Sequence, residues 1–168
     1  MHEHLDHLAF RFFKIFAQFE YALKAMGYGR ASRNDAAEAD WDRFSNEVGV
    51  VLLGEQDANI AGAVEYLFQN PPKRQVWVNG MAEWREVGND ERSPQTLFAH
   101  IRRVRNNLYH GGKFNDRWLA PDRSIELISN SLLLLDYLAQ SNHQLQETIR
   151  GSRRELHVRL SGARRDCP

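Results

Sequence analysis

Between Leu5 and Met26 the apolar residues Leu5, Leu8, Phe12, Ile15, Phe16, Phe19, Leu23 and Met26 recur every three or four positions, the spacing of one face of an α-helix. Phe10 and Phe13 widen that surface beyond a single stripe. The helix is therefore either central in a bundle or shared with a second subunit. Gly27 and Gly29 supply its stop, and the small polar stretch from Ala31 to Ala39 reads as a loop.

The same periodicity predicts further helices. One spans Asp40 to Leu53, with Trp41, Phe44, Val48 and Val51 on its apolar side, and another spans Asp57 to Phe68. The second stops at Asn70-Pro71-Pro72, because proline cannot extend the hydrogen-bond ladder and pushes the preceding residue out of the α region. Pro71 to Asn89 is expected to be an ordered loop. Within it Gln75 to Val78 has strand character, and Gly80 to Glu86, with Trp84, resembles a turn and a short helix. Ser93-Pro94 starts the next helix, Ser93 as N-cap and Pro94 at the first helical position. Leu97, Ile101, Val104 and Leu108 form its buried stripe, and Gly111-Gly112 closes it. After a loop with Trp118 and Pro121, a last long helix is expected from Arg123 to Ile149, carrying Ile125, Ile128, Leu132, Leu135, Leu138 and Leu145.

With 168 residues, 42% of them apolar, the chain is long enough for one domain with a real core. The expectation is a single helical domain over residues 1–150 and a charged tail over 151–168. The longest strongly apolar run, around Leu132 to Leu135, falls far short of the roughly 20 residues of a membrane span. The start, with His2, Glu3, His4 and Asp6, does not read as a signal peptide. A cytoplasmic location is expected. The single cysteine, Cys167, excludes an internal disulfide framework and a multi-cysteine zinc site. His2, His4 and His7 occupy a terminus without a companion cluster, and no metal is expected there.

A formal net charge of zero hides an asymmetry. Residues 1–100 hold 10 Lys and Arg against 15 Asp and Glu, a net of −5, and residues 101–168 hold 12 against 7, a net of +5. The densest basic stretch is Arg102-Arg103-Val104-Arg105-Asn106-Asn107-Leu108-Tyr109-His110-Gly111-Gly112-Lys113, which contains no carboxylate. Its arginines offer planar forks for phosphate oxygens, and His110 is the side chain able to move protons near neutral pH. Phosphate-ester chemistry is the natural reading. As a bland alternative, these are solvated cations at a helix C-terminus, favourable to its dipole. Glu20 likewise has two readings, a solvated pair with Lys24 or an inward-facing carboxylate that orients a site residue.

Arg105-Asn106-Asn107-Leu108-Tyr109-His110 resembles the Arg-x4-6-His signature of the HEPN superfamily. The opening helix with Phe19-Glu20-Tyr21-Ala22-Leu23-Lys24, the loop with Pro71-Pro72 and Asn79-Gly80, and the Gly111-Gly112-Lys113 after the histidine are similar to one bacterial branch of it. The resemblance implies an all-α, HEPN-like bundle of about four to five helices with an ordered Pro/Trp-containing loop in the middle. It also implies a metal-independent endoribonuclease without cofactors, a toxin or defence effector, acting as a homodimer whose two motifs face one cleft. His110 would then be general base or acid, Arg105 would bind the scissile phosphate, and Asn106 would orient His110 or the phosphate. Arg102, Arg103, Tyr109 and Lys113 would be substrate contacts. RNA is the expected substrate, and an antitoxin or regulatory protein a possible partner. The alternative is a non-catalytic module binding RNA, a nucleotide or a partner.

Helical phase keeps one question open. Five positions leave Arg105 and His110 about 140° apart on a straight helix, whereas Arg103 and His110 differ by only about 20°. Arg103 also satisfies the longer spacing of the signature. Asn106 and His110, at i and i+4, share a face.

Overall fold

A computed structural model describes residues 2–88, 91–109, 113–114, 117–118 and 120–151. The opening helix α1 runs from His2 to Ala25 and buries Leu5, Phe12, Phe16, Phe19, Ala22 and Leu23. It closes where the periodicity predicts. Gly27, at φ +89°, donates to the Lys24 carbonyl and Tyr28 to that of Leu23, the paired bonds of a Schellman cap.

The stretch expected to be a loop is instead a small antiparallel hairpin of β1, Gly29–Ala31, and β2, Ala37–Ala39. Local polar bonds make its turn: the Ser32 hydroxyl accepts from the Asn34 and Ala36 amides, and Asp35 takes a positive φ of 58°. Helix α2, Trp41–Glu47, follows with Asp40 capping the Arg43 amide at 3.1 Å. The expected helix to Leu53 breaks here, and a 3-10 helix covers Gly49–Gly54. Three residues per turn bring Gly49 and Leu52 to the same buried side. Val51, expected in the apolar stripe, is exposed.

Helix α3, Ala58–Gln69, is capped by Asp57 and ends at Asn70, before the prolines. The region expected to be an ordered loop is a second antiparallel hairpin, β3 Arg74–Val78 with β4 Met81–Arg85. Residues 80–86 therefore contain a strand, not a short helix. Asn79 and Gly80 have φ of 50° and 81°, both positive as a two-residue type I′ connection requires. Helix α4, Pro94–Tyr109, buries Leu97, Phe98, His100, Ile101 and Val104. Its Ser93 cap accepts from the Thr96 amide at 3.2 Å.

The backbone of Lys113–Phe114 and Arg117–Trp118 pairs as a third hairpin, β5 and β6. The expected single last helix is two. Helix α5 spans Pro121–Ser141, with Pro121 at its start, and α6 covers 143–151. Asn142 makes the break in an extended conformation, its side chain accepting from the Leu145 amide at 2.9 Å to cap α6. The charged tail expected after Gly151 lies outside the described residues.

The fold is thus mainly α, with three two-stranded antiparallel sheets among the described residues. Helix α5 packs between α1 and α3, and α4 lies across α2, α1 and α5. Phe16 stacks on Trp41 at 4.9 Å, and Phe98 of α4 meets Trp41 and Phe44 at 5.9 and 5.7 Å. Each buried phenylalanine contributes about 1.5–3 kcal/mol, so this cluster fixes α4 against α1 and α2. No helix among the described residues is long and apolar enough to cross a membrane.

Candidate functional site

The basic segment occupies the last turns of α4, and its position follows from the stripe beneath it. Because Ile101 and Val104 are buried, the residues between and after them must emerge on the flanks of the helix. Arg102, Arg103 and Asn106 emerge on the side facing the β3–β4 hairpin. With Asn107, Ala99, Arg74 and Gln75 they line a groove of about 390 Å³. Arg105 emerges on the opposite flank, against α1. Its guanidinium lies 5.1 Å from the Phe16 ring centroid and borders a groove of about 340 Å³ with Phe13, Ala17, Glu20, Tyr21 and Lys24.

Arg103 and Arg105 therefore face different grooves. Asn106 links the two sides, its Oδ1 accepting a hydrogen bond from Arg105 Nη1 at 2.9 Å. Arg103 also has a neighbour in the chain, donating to the Pro72 carbonyl at 3.5 Å. Asn107 donates to Lys73 O at 2.8 Å, and Arg123 of α5 donates to Pro71 O at 3.0 Å. Three side chains thus anchor the carbonyls of Pro71, Pro72 and Lys73, the base of the β3–β4 hairpin. Pro71 and Pro72 have a tertiary role that their helix-breaking character did not reveal.

The segment carries no carboxylate of its own, but α2 supplies one. Asp42 lies 3.8 Å from Arg102, with both side chains more than one-third exposed, where solvent screening leaves little pairing energy. Glu20 is half-buried and accepts the Trp41 indole N–H at 2.7 Å. The carboxylate thus ties α1 to α2 and shares a groove with Arg105 and Lys24. Among the described residues no ion pair joins Glu20 to Lys24.

Tyr109 is 70% exposed and edges a small apolar cleft with Ala9, Phe12, Phe13 and Leu108. His110 and the side chain of Lys113 lie outside the described residues. His100 has a structural place: only 3% exposed, its Nδ1 donates to the Leu67 carbonyl at 3.0 Å, tying α4 to α3. Among the described residues no three of His, Cys, Asp or Glu gather where a metal ion could be held.

Sequence reasoning missed Arg74 and Gln75 as groove residues. The signal was the dipeptide Lys73-Arg74 after the prolines, but only a hairpin folded back along α4 brings Arg74 to Arg102 and Arg103. Compared with protein-family models, with curated proteins and with solved structures, the chain finds no match.

Proposed function

We infer that this chain is a HEPN-type endoribonuclease that cleaves RNA by attack of a ribose 2′-hydroxyl on the adjacent phosphorus. The observation that carries the reading is the Arg105–Asn106 pair, hydrogen-bonded on the last turns of α4, five and four positions before His110 in the sequence. In this mechanism His110 takes the 2′-hydroxyl proton as the oxygen bonds to phosphorus, or delivers a proton to the departing 5′-oxygen. The P–O5′ bond breaks, leaving a 2′,3′-cyclic phosphate and a 5′-hydroxyl. Arg105 steadies the charge that builds on the phosphate, and Asn106 holds that guanidinium in place.

Arg105 is favoured over Arg103 because it is the arginine bound to Asn106, whereas Arg103 reaches toward the Pro72 carbonyl. Arg102, Arg103, Tyr109 and Lys113 are assigned to substrate binding. The working form is a homodimer. Phe10, Phe13 and Tyr21 leave an exposed aromatic face on α1, with Tyr109 also exposed on α4, and such a face is apolar surface that a second copy would cover. A toxin or defence role, with an antitoxin or regulatory protein restraining it, is the cellular setting proposed.

The test is incubation of the purified chain with total RNA in EDTA, beside His110→Ala. Cleavage confined to the unmutated chain is the expected result; cleavage by both, or by neither, sinks the catalytic assignment. RNA binding without cleavage would instead favour a non-catalytic binding module.

A further inference from the structure

The β3–β4 hairpin contributes a feature that RNA cleavage at Arg105 and His110 does not use. Trp77 is 76% exposed, on a two-stranded arm whose base is held by Arg103, Asn107 and Arg123. Residues two apart on a strand project from one face. Trp77 therefore shares its face with Gln75, a lining residue of the α4 groove, about 7 Å further toward the turn. The groove brings Arg74, Arg102 and Arg103 together with Gln75, Asn106 and Asn107, and among the described residues no carboxylate lines it. Among the described residues Arg74 makes no ion pair.

We propose that this groove is a track for single-stranded RNA, with backbone phosphates held by Arg74, Arg102 and Arg103 and one unpaired base stacked on Trp77. Charge complementarity selects a polyanion. The exposed indole, two residues beyond Gln75 on the same strand face, selects an unpaired strand, because only there is a base face free to stack. At its inner end the track reaches Asn106, which hands the strand toward Arg105. The proposal rests on RNA being the substrate, but it assigns Arg74, Gln75 and Trp77 to a binding surface outside the cleavage motif.

The experiment measures fluorescence anisotropy of a labelled 12-nucleotide RNA, single-stranded or in a duplex of the same sequence. The full-length His110→Ala chain is used so that RNA is not consumed. Trp77→Ala is expected to weaken single-strand binding by about 5- to 100-fold, with Trp77→Phe restoring most of it. Arg74→Ala is expected to lower affinity and to reduce the slope of log K against log salt by about 0.7. The duplex is expected to bind more weakly than the single strand. Unchanged affinity in both alanine variants, equal binding of duplex and single strand, or no binding by the parent chain each overturns the track. Cleavage of total RNA by the unmutated chain reads the enzymatic assignment separately. An inactive chain whose RNA binding still depends on Trp77 keeps the track and loses the enzyme; an active chain indifferent to Trp77 and Arg74 does the reverse.

Discussion

Replacing Gly49 with alanine puts a methyl group into the wall between the 3-10 helix and α4. An ideal Cβ at this position lies 2.3, 2.9 and 3.2 Å from three carbons of the Phe98 ring. That ring is 1% exposed and boxed in by Trp41 and Phe44 at 5.9 and 5.7 Å. It has no room to retreat. Overpacking of this kind costs about 1–3 kcal/mol, and the rigid surroundings place the expected cost at about 3. Reduced backbone freedom in the unfolded chain offsets about 0.5 kcal/mol, leaving a net loss of about 2.5 kcal/mol. For a chain of this size the melting temperature should fall by about 5–10 °C. Thermal unfolding followed by circular dichroism reads this directly. Gly54→Ala, on the same 3-10 helix with nothing within 4 Å of the added carbon, is the control and should shift little. Combining Gly49→Ala with Phe98→Leu should recover part of the loss, with a coupling of about 1–2 kcal/mol in the double-mutant cycle. A Gly49→Ala chain as stable as the parent, or a cycle with no coupling, refutes the close-approach argument. Phe98 stands one helical turn before Arg102, so the same contact sets how the basic flank of α4 is presented.

Arg105→Ala should abolish most RNA cleavage with little change in helicity, whereas Arg103→Ala should also lower thermal stability through the loss of its Pro72 contact; the reverse pattern moves the catalytic arginine. Gly62→Ala, exposed in the interior of α3 with open space around the added carbon, should stabilise by about 0.5–1 kcal/mol, measured as a shift in urea midpoint. Ser93→Ala removes the cap of α4 and should cost about 1 kcal/mol in the same measurement. The Glu55 carboxyl sits below its ordinary 4.5 because Tyr137 and then the amides of Asp57 and Gln56 donate to it, and Arg43 and Tyr28 lower that of Glu47. Such depressed carboxylates stabilise fully above the ordinary value and lose that contribution as pH falls through the folded one. The melting temperature should therefore fall on acidification below about pH 4.5, and less steeply in Tyr137→Phe; an equally steep fall in that variant contradicts the assignment.

Much of the helical framework was legible locally. The apolar phase of residues 5–26, the Asp57 start, the proline stop and the Ser93-Pro94 start each act within a turn or two of chain. The β1–β2 and β3–β4 hairpins were harder because their pairing depends on the register of short, mostly exposed strands, which leaves no alternating apolar pattern to read. The break at Gly49 was hidden for another reason. Its apolar residues fit a continuous helix, and the packing of Phe98 against Gly49 comes from a helix about 50 residues later.

Sequence alone determined where a dense, carboxylate-free run of arginines would fall: on the final turns of a helix whose opposite side is apolar. Periodicity, capping and local charge are properties of neighbouring residues, so they survive without tertiary contacts. The tertiary structure decided what each arginine faces. It turned Arg105 toward Phe16 and the Glu20 groove, turned Arg102 and Arg103 toward the β3–β4 hairpin, and brought Arg74 and Gln75 alongside them. That assignment depends on which elements flank α4, and only the packing of the whole chain supplies them.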